Sequence, residues 1–282
     1  MLDAPLSKLF PGLFSISRPI ITPDVPVIVT ASILATYEFP ILPVTKAGAP
    51  PDVEKKEVKL FKAIGGLQIV RLMTESEPSD HYNMMWNPCT TTSMWLGALE
   101  YHDSLEKLLR IFELTGFGDA RVNAQAPPHA LITLEEVVSL YRDRKLKCKL
   151  EVGEVASRAI FVDPDTMLME AMRTMCEKRI RRLFIHGKRG EFVSDRNILA
   201  YLFSPKALAV AKEASDSWTN VKISSIPSTK ASFVSAQATV EDVGSMPEAR
   251  HGVFVFPDGS SIVSRWDLVM KPWKERQLSL PL

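Results

Sequence analysis

The chain is short of the features that announce most specialised proteins. Only three of its 282 residues are cysteine. Cys89, Cys148 and Cys176 are odd in number, far apart and in no metal-ligand spacing, so neither a disulfide framework nor a zinc site is indicated, and small buried hydrophobes are the expectation. An excess of one charge is missing too. The 34 basic and 33 acidic residues leave a net charge of +1, which gives no global field to draw in nucleic acid or an anionic membrane. No apolar run approaches the roughly 18 residues that a membrane span needs. The opening MLDAPLSKLFPG carries Asp3 and lacks a signal peptide's apolar core, so the sequence reads as soluble and cytoplasmic, with no membrane partner. A phosphate-binding glycine loop, a Ser-His-Asp set and a carboxylate dyad in a recognisable motif are also lacking, which speaks against an enzyme. What is present, 46% hydrophobic and 24% charged residues, suits one large folded domain or two of about 140 residues.

Internal repetition organises the chain. Residues 160–202 give the clearest unit: a strand (IFV), a turn and helix start (DPDT), a helix, a strand (RRLFIHG), a second strand (EFVS) and a closing helix (DRNILAYL). Leu168, Ala171, Met172 and Met175 fall at i, i+3, i+4 and i+7, which marks one apolar helix face. The order returns near the C-terminus as SFVS, ATVEDVGSM with Thr239 as N-cap, HGVFVF, the turn Pro257-Asp258-Gly259, SIVS and RWDLVM. A third copy has Asp103 and Ser104 ahead of Leu105, Leu108, Leu109 and Phe112, then ALIT and LEEVVSLY. In the first, ITPDVPVIVTASILATYEFPILPV, the β-branched run alone reads as a strand. Register with the other copies makes Val27 to Tyr37 a helix.

Aligning the closing strands puts Thr133, Ser194 and Ser264 at one point, spaced by about 61 and 70 residues, with Glu136, Asn197 and Asp267 three positions on. A hydroxyl at a strand end and an acid or amide in the first helical turn is also the pattern of an N-capping box.

The four units resemble cystathionine β-synthase (CBS) domains, which pair into Bateman modules. EFVSDRN, SSIVSRWD, ALITLEE and FPILPV carry the resemblance, which spans about residues 14–273. It implies an α/β (α+β) fold of four β-α-β-β-α repeats at 14–74, 75–147, 148–204 and 222–273, paired with pseudo-two-fold symmetry into modules at 1–147 and 148–282. Insertions at about 46–60 and 75–95 depart from the compact form. The resemblance also implies a non-catalytic, energy-sensing regulatory protein that binds AMP, ADP or ATP in the cleft between the repeats of the C-terminal pair, often as a homodimer with a further protein partner. By register, Ser194, Asn197, Ser264 and Asp267 take the hydroxyl and ribose positions. Ala159, Ile160 and Phe161, with Ser232 and Phe233, take the base pocket. A carboxylate accepts from both vicinal ribose hydroxyls, and a helix N-terminus suits a phosphate. Arg182, Arg196 and Arg265 are the candidate phosphate contacts, since guanidinium meets phosphate bidentately. Thr133 and Glu136 are candidates in the N-terminal pair, where Gly65 and Gln68 replace the motif in the first unit. The alternative is a structural or nucleic-acid-associated adaptor, supported by the basic stretches Lys178 to Arg182 and Lys145 to Lys149, which mostly lack interleaved aromatics.

Overall fold

The structure, a computed structural model, describes residues 2–13, 19–37, 41–44, 53–55, 58–123, 130–250 and 252–281, with the side chains of 53–55, 58–60 and 250 excepted. An N-terminal arm with the short helix α1 (Leu6–Leu9) leads into the first repeat: α2 (Val27–Tyr37), β1 (Ile41–Val44), β2 (Val53–Lys55), β3 (Val58–Gly65) and α3 (Gly66–Thr74). The insertion that follows holds α4 (His81–Met84). The second repeat is β4 (Met94–Glu100), α5 (Leu105–Thr115), β5 (Asp119–Asn123), β6 (Ala130–Thr133) and α6 (Leu134–Arg142). After α7 (Val152–Val155) come β7 (Ser157–Arg158), β8 (Phe161–Val162), α8 (Leu168–Lys178), β9 (Arg182–Ile185), β10 (Glu191–Ser194) and α9 (Asp195–Leu202). Two connecting helices, α10 (Pro205–Glu213) and α11 (Ser215–Trp218), precede β11 (Thr229–Lys230), β12 (Ser232–Phe233), α12 (Val240–Ser245), β13 (Phe254–Val255), β14 (Ser261–Val263) and α13 (Arg265–Lys274).

The β-branched run 27–37 is a helix. Val27, Thr30, Ala31 and Leu34 are buried at i, i+3, i+4 and i+7, and tertiary packing outweighs the intrinsic strand preference of Val, Ile and Thr. Its hydroxyls are absorbed within the helix, Thr30 donating to the Pro26 carbonyl at 3.2 Å and Ser32 to the Ile28 carbonyl at 2.8 Å. The expected caps are present at Ser104 and Thr239, each accepting the backbone N–H three residues on. The DPDT turn forms, with the Thr166 N–H on the Asp163 carbonyl at 3.0 Å, and α8 begins two residues later at Leu168.

Repeats one and two share one six-stranded sheet, ordered β1-β3-β4-β5-β6 with β2 on β3. Repeats three and four instead exchange a strand. β11, which leads into repeat four, pairs with β10 of repeat three; β7, which leads into repeat three, pairs with β14 of repeat four. Four apolar clusters hold these sheets and helices. One joins residues 21–89 to residues 162–226, and another joins the arm and residues 99–155 to residues 234–278. The helices therefore pack repeat one on three and repeat two on four. Two smaller clusters fill the sheet side, around Phe61 and Leu96 in the first two repeats and around Phe184, Phe192 and Val255 in the last two. Cys89 and Cys148 are buried in the two large clusters, and burial pushes both thiols up. No described helix is long and apolar enough to cross a membrane.

Candidate functional site

Each repeat closes with the same junction, a strand running into a helix. In the fourth, Asp267 Oδ2 accepts the Ser264 N–H at 2.8 Å and the Ser264 hydroxyl at 2.6 Å. In the third, Asn197 Oδ1 accepts the Ser194 N–H at 2.9 Å and hydroxyl at 2.6 Å, while the Asn197 N–H donates back to Ser194 Oγ at 3.2 Å. In the second, Glu136 takes both Thr133 donors, at 2.7 and 2.6 Å. The first keeps only the backbone half, Gly65 N–H to Gln68 Oε1 at 3.2 Å. The junctions are thus capping boxes, and the cap fixes which way each helix N-terminus points.

The strand exchange brings a second hydroxyl to two of these junctions. Ser157 on β7 donates to Asp267 Oδ1 at 2.6 Å, and the Asn197 amide donates to Thr229 Oγ1 on β11 at 3.2 Å. Ser157 and Thr229 open matching stretches, SRAIFV and TKASFV.

Where the four repeats meet, a cavity of about 890 Å³ opens. Three of the junctions border it through Gln68, Thr133 and Ser264 with Asp267. Its walls carry Arg71, Arg158, Arg179, Arg181, Arg182 and Arg265 against Glu75, Asp119 and Glu177. Arg181 pairs with the buried Asp195 at 2.8 Å, and Arg265 reaches Glu135 at 3.4 Å. For Arg181 burial is the largest influence and lowers its proton affinity, but Asp195 and Asp119 outweigh it and the net direction is up. Burial leads for Arg265 as well, and there it wins over Glu135, so the net direction is down.

Arg182 differs from both. It makes no ion pair with a carboxylate among the described residues, Asp195 attracting it only at longer range, and its guanidinium lies 5.9 Å from the centre of the Phe192 ring. Burial, then Arg265 and Arg181, pull it down to about 9. A guanidinium set beside two other arginines with no ion pair of its own is costly, and an anion in the cavity would offset that cost.

Of the residues expected from sequence, Thr133, Ile160, Arg182, Ser264, Arg265 and Asp267 border this cavity. Ala159 is buried in the layer between the last two sheets. Phe161 lies outside the cavity lining and stacks on His186 with centroids 5.0 Å apart, and Phe233, behind Ser232 on the same short strand, lies under Arg189 at 4.8 Å. Ser194, Arg196 and Asn197 form the third junction with Thr229, away from the cavity lining, and Glu136 caps Thr133 from behind. Lys145 donates to the Leu9 carbonyl and Lys147 pairs through its backbone with Ser279, so that basic stretch ties down the two ends of the chain. His251 lies outside the described residues. Sequence reading missed Ser157, Arg71 and Arg158, and of the basic stretch Lys178 to Arg182 it singled out Arg182 alone, where Arg179 and Arg181 also border the cavity. For Ser157, the repeated SRAIFV and TKASFV was the available signal.

No family model and no curated protein matches the sequence. Solved structures do. The fold is that of CBS-domain proteins, with four repeats forming two Bateman modules. A protein from Methanocaldococcus jannaschii, described as a proposed archaeal homolog of g-AMPK, superposes with a TM-score of 0.77 over 96% of this chain and 100% of its own, at 16% identity. An uncharacterised conserved protein from Pyrococcus horikoshii gives 0.48 over 89% and 94%, at 15% identity. The CBS-pair protein CBSX2 from Arabidopsis thaliana gives 0.34 over 45% and 97%, at 18% identity.

Proposed function

We propose that this protein is a non-catalytic regulatory sensor of an adenine nucleotide, held between the third and fourth repeats with its phosphate in the shared cavity. The observation that carries the reading is Arg182: a guanidinium in the cavity wall, beside Arg265 and Arg181, with no carboxylate at ion-pair distance among the described residues. A nucleotide's phosphate would offset that cost, while its ribose would meet Asp267 and Ser157 and its base the apolar Ile160 and Ile262. The likeness to a protein described as a proposed homolog of g-AMPK supports the same reading. A ligand touching several repeats at once changes how they sit against each other, and a protein partner or a second copy of the chain, in the cytoplasm, would receive that change.

The test is thermal unfolding with and without AMP, ADP, ATP and S-adenosylmethionine. A ligand at 100 times its dissociation constant adds roughly 2.7 kcal/mol. A shift with an adenine nucleotide that Arg182→Met abolishes is expected. No shift with any of the four would sink the reading.

A further inference from the structure

Asp267 is buried to 2% exposure, and its outer oxygen does more than receive Ser157. One helical turn on, Lys271 Nζ lies 3.1 Å from the same Oδ1. The same ammonium donates to the carbonyls of Val155 at 2.6 Å and Ala156 at 2.8 Å and to Ser157 Oγ at 3.0 Å. Four acceptors converge on one cation, more than its three protons serve at full strength, so they share it as a compact knot. The knot binds the segment before β7 to the first turns of α13. Without it, Ser157 would hang from a two-residue edge strand.

The third junction makes an internal control. Seventy residues earlier, the positions of Asp267 and Lys271 hold Asn197 and Tyr201. Where the acid has become an amide, the lysine has become a neutral residue, and Thr229 takes the part of Ser157. The cation occurs where there is a buried carboxylate to neutralise.

We infer that Lys271 is the positioning residue for the ribose end of the nucleotide cleft, setting Asp267 and Ser157 as a pair against the vicinal ribose hydroxyls. This rests on the nucleotide reading above. Lys271 need not touch the ligand. It sits 3.1 Å from the buried carboxylate and holds the Ser157 hydroxyl beside it, so that one hydroxyl of the ribose donates to Asp267 while Ser157 turns to the other.

The experiment is a double-mutant cycle on the full chain, read by calorimetric binding of AMP and of 2′,3′-dideoxy-AMP, with unfolding temperature measured for each variant. Lys271→Met should weaken AMP about tenfold, the worth of a hydrogen bond to a charged group, and leave dideoxy-AMP nearly unchanged, so that selectivity collapses. Lys271→Arg should restore selectivity. Asp267→Asn with Lys271→Met should bind no worse than Asp267→Asn alone, since an amide needs no cation. If Lys271→Met does not fold, the comparison of that double variant with Asp267→Asn still decides. Unchanged selectivity in Lys271→Met, or additive losses in the cycle, would overturn the role while leaving the sensor reading intact. A wild-type chain that binds no nucleotide removes the sensor reading first, and this role with it.

Discussion

Replacing Arg182 by methionine should make the ligand-free protein more stable. The guanidinium is held down at about 9, with burial as the main cause and Arg265 next. A displacement of that size sets a ceiling on the order of 5 kcal/mol for the penalty on the charged form. The side chain is only half-buried and borders a large cavity, so screening keeps the actual penalty below that ceiling. Methionine keeps an unbranched apolar stem and removes the charge that stands near Phe192. The sign with pH follows from proton linkage. Below pH 9 both folded and unfolded chains carry the proton and the penalty is present in full. Above it the folded chain sheds the proton first, the unfolded chain binds more, and wild-type stability rises with pH relative to the variant. Urea unfolding at pH 7 and pH 10 measures both effects. The variant should be more stable at pH 7, by less than the ceiling of about 5 kcal/mol and on the order of a few kcal/mol, and its advantage should shrink at pH 10. A variant less stable than wild type, by a margin that does not change with pH, would mean that Arg182 is already compensated in the folded protein.

Asp267→Ala should remove more of a nucleotide's thermal shift than Asn197→Ala, because Asp267 borders the cavity and Asn197 does not; the reverse order would move the ligand to the third junction. At Gly66 an added Cβ would stand 2.5 Å from Asp195 Oδ2. Gly66→Ala should therefore cost about 1–3 kcal/mol in chemical unfolding, the usual price of overpacking. Met172, fully buried where α8 meets the first repeat, should lose about 2–5 kcal/mol on truncation to alanine. Tyr141 donates to the Leu268 carbonyl at 2.8 Å in a buried setting, so Tyr141→Phe should cost roughly 1–3 kcal/mol by orphaning that carbonyl.

The repeats and their caps were legible because they are local. Ser194 with Asn197 and Ser264 with Asp267 bond within one helical turn, so sequence spacing alone sets them. The helix at 27–37 was legible only by register, since its own residues point to a strand. What the sequence hid was who packs on whom. Nothing in β7 or β11 announces that each leaves for the neighbouring repeat's sheet, yet that exchange is what brings Ser157 to Asp267. Arg71 and Arg158 were hidden for a related reason. Arg71, with Glu75 four residues on and both still largely exposed, reads like any solvated surface pair, and only the packing of α3 on α8 sets it at the rim of the cavity.

The pairing of sheets and helices along different axes bears on how the chain comes together. Each repeat shares one apolar cluster with its sequence neighbour through sheets and another with a distant repeat through helices, so the four close into a ring. A ring has no link that can open alone. Half the chain, cut near residue 148, would expose one face of each large cluster, and both halves must wait for the other before either large core is sealed. Sealing of the two large cores is therefore late and non-local, and a molecule in the central cavity sits at the point where the ring either holds or parts.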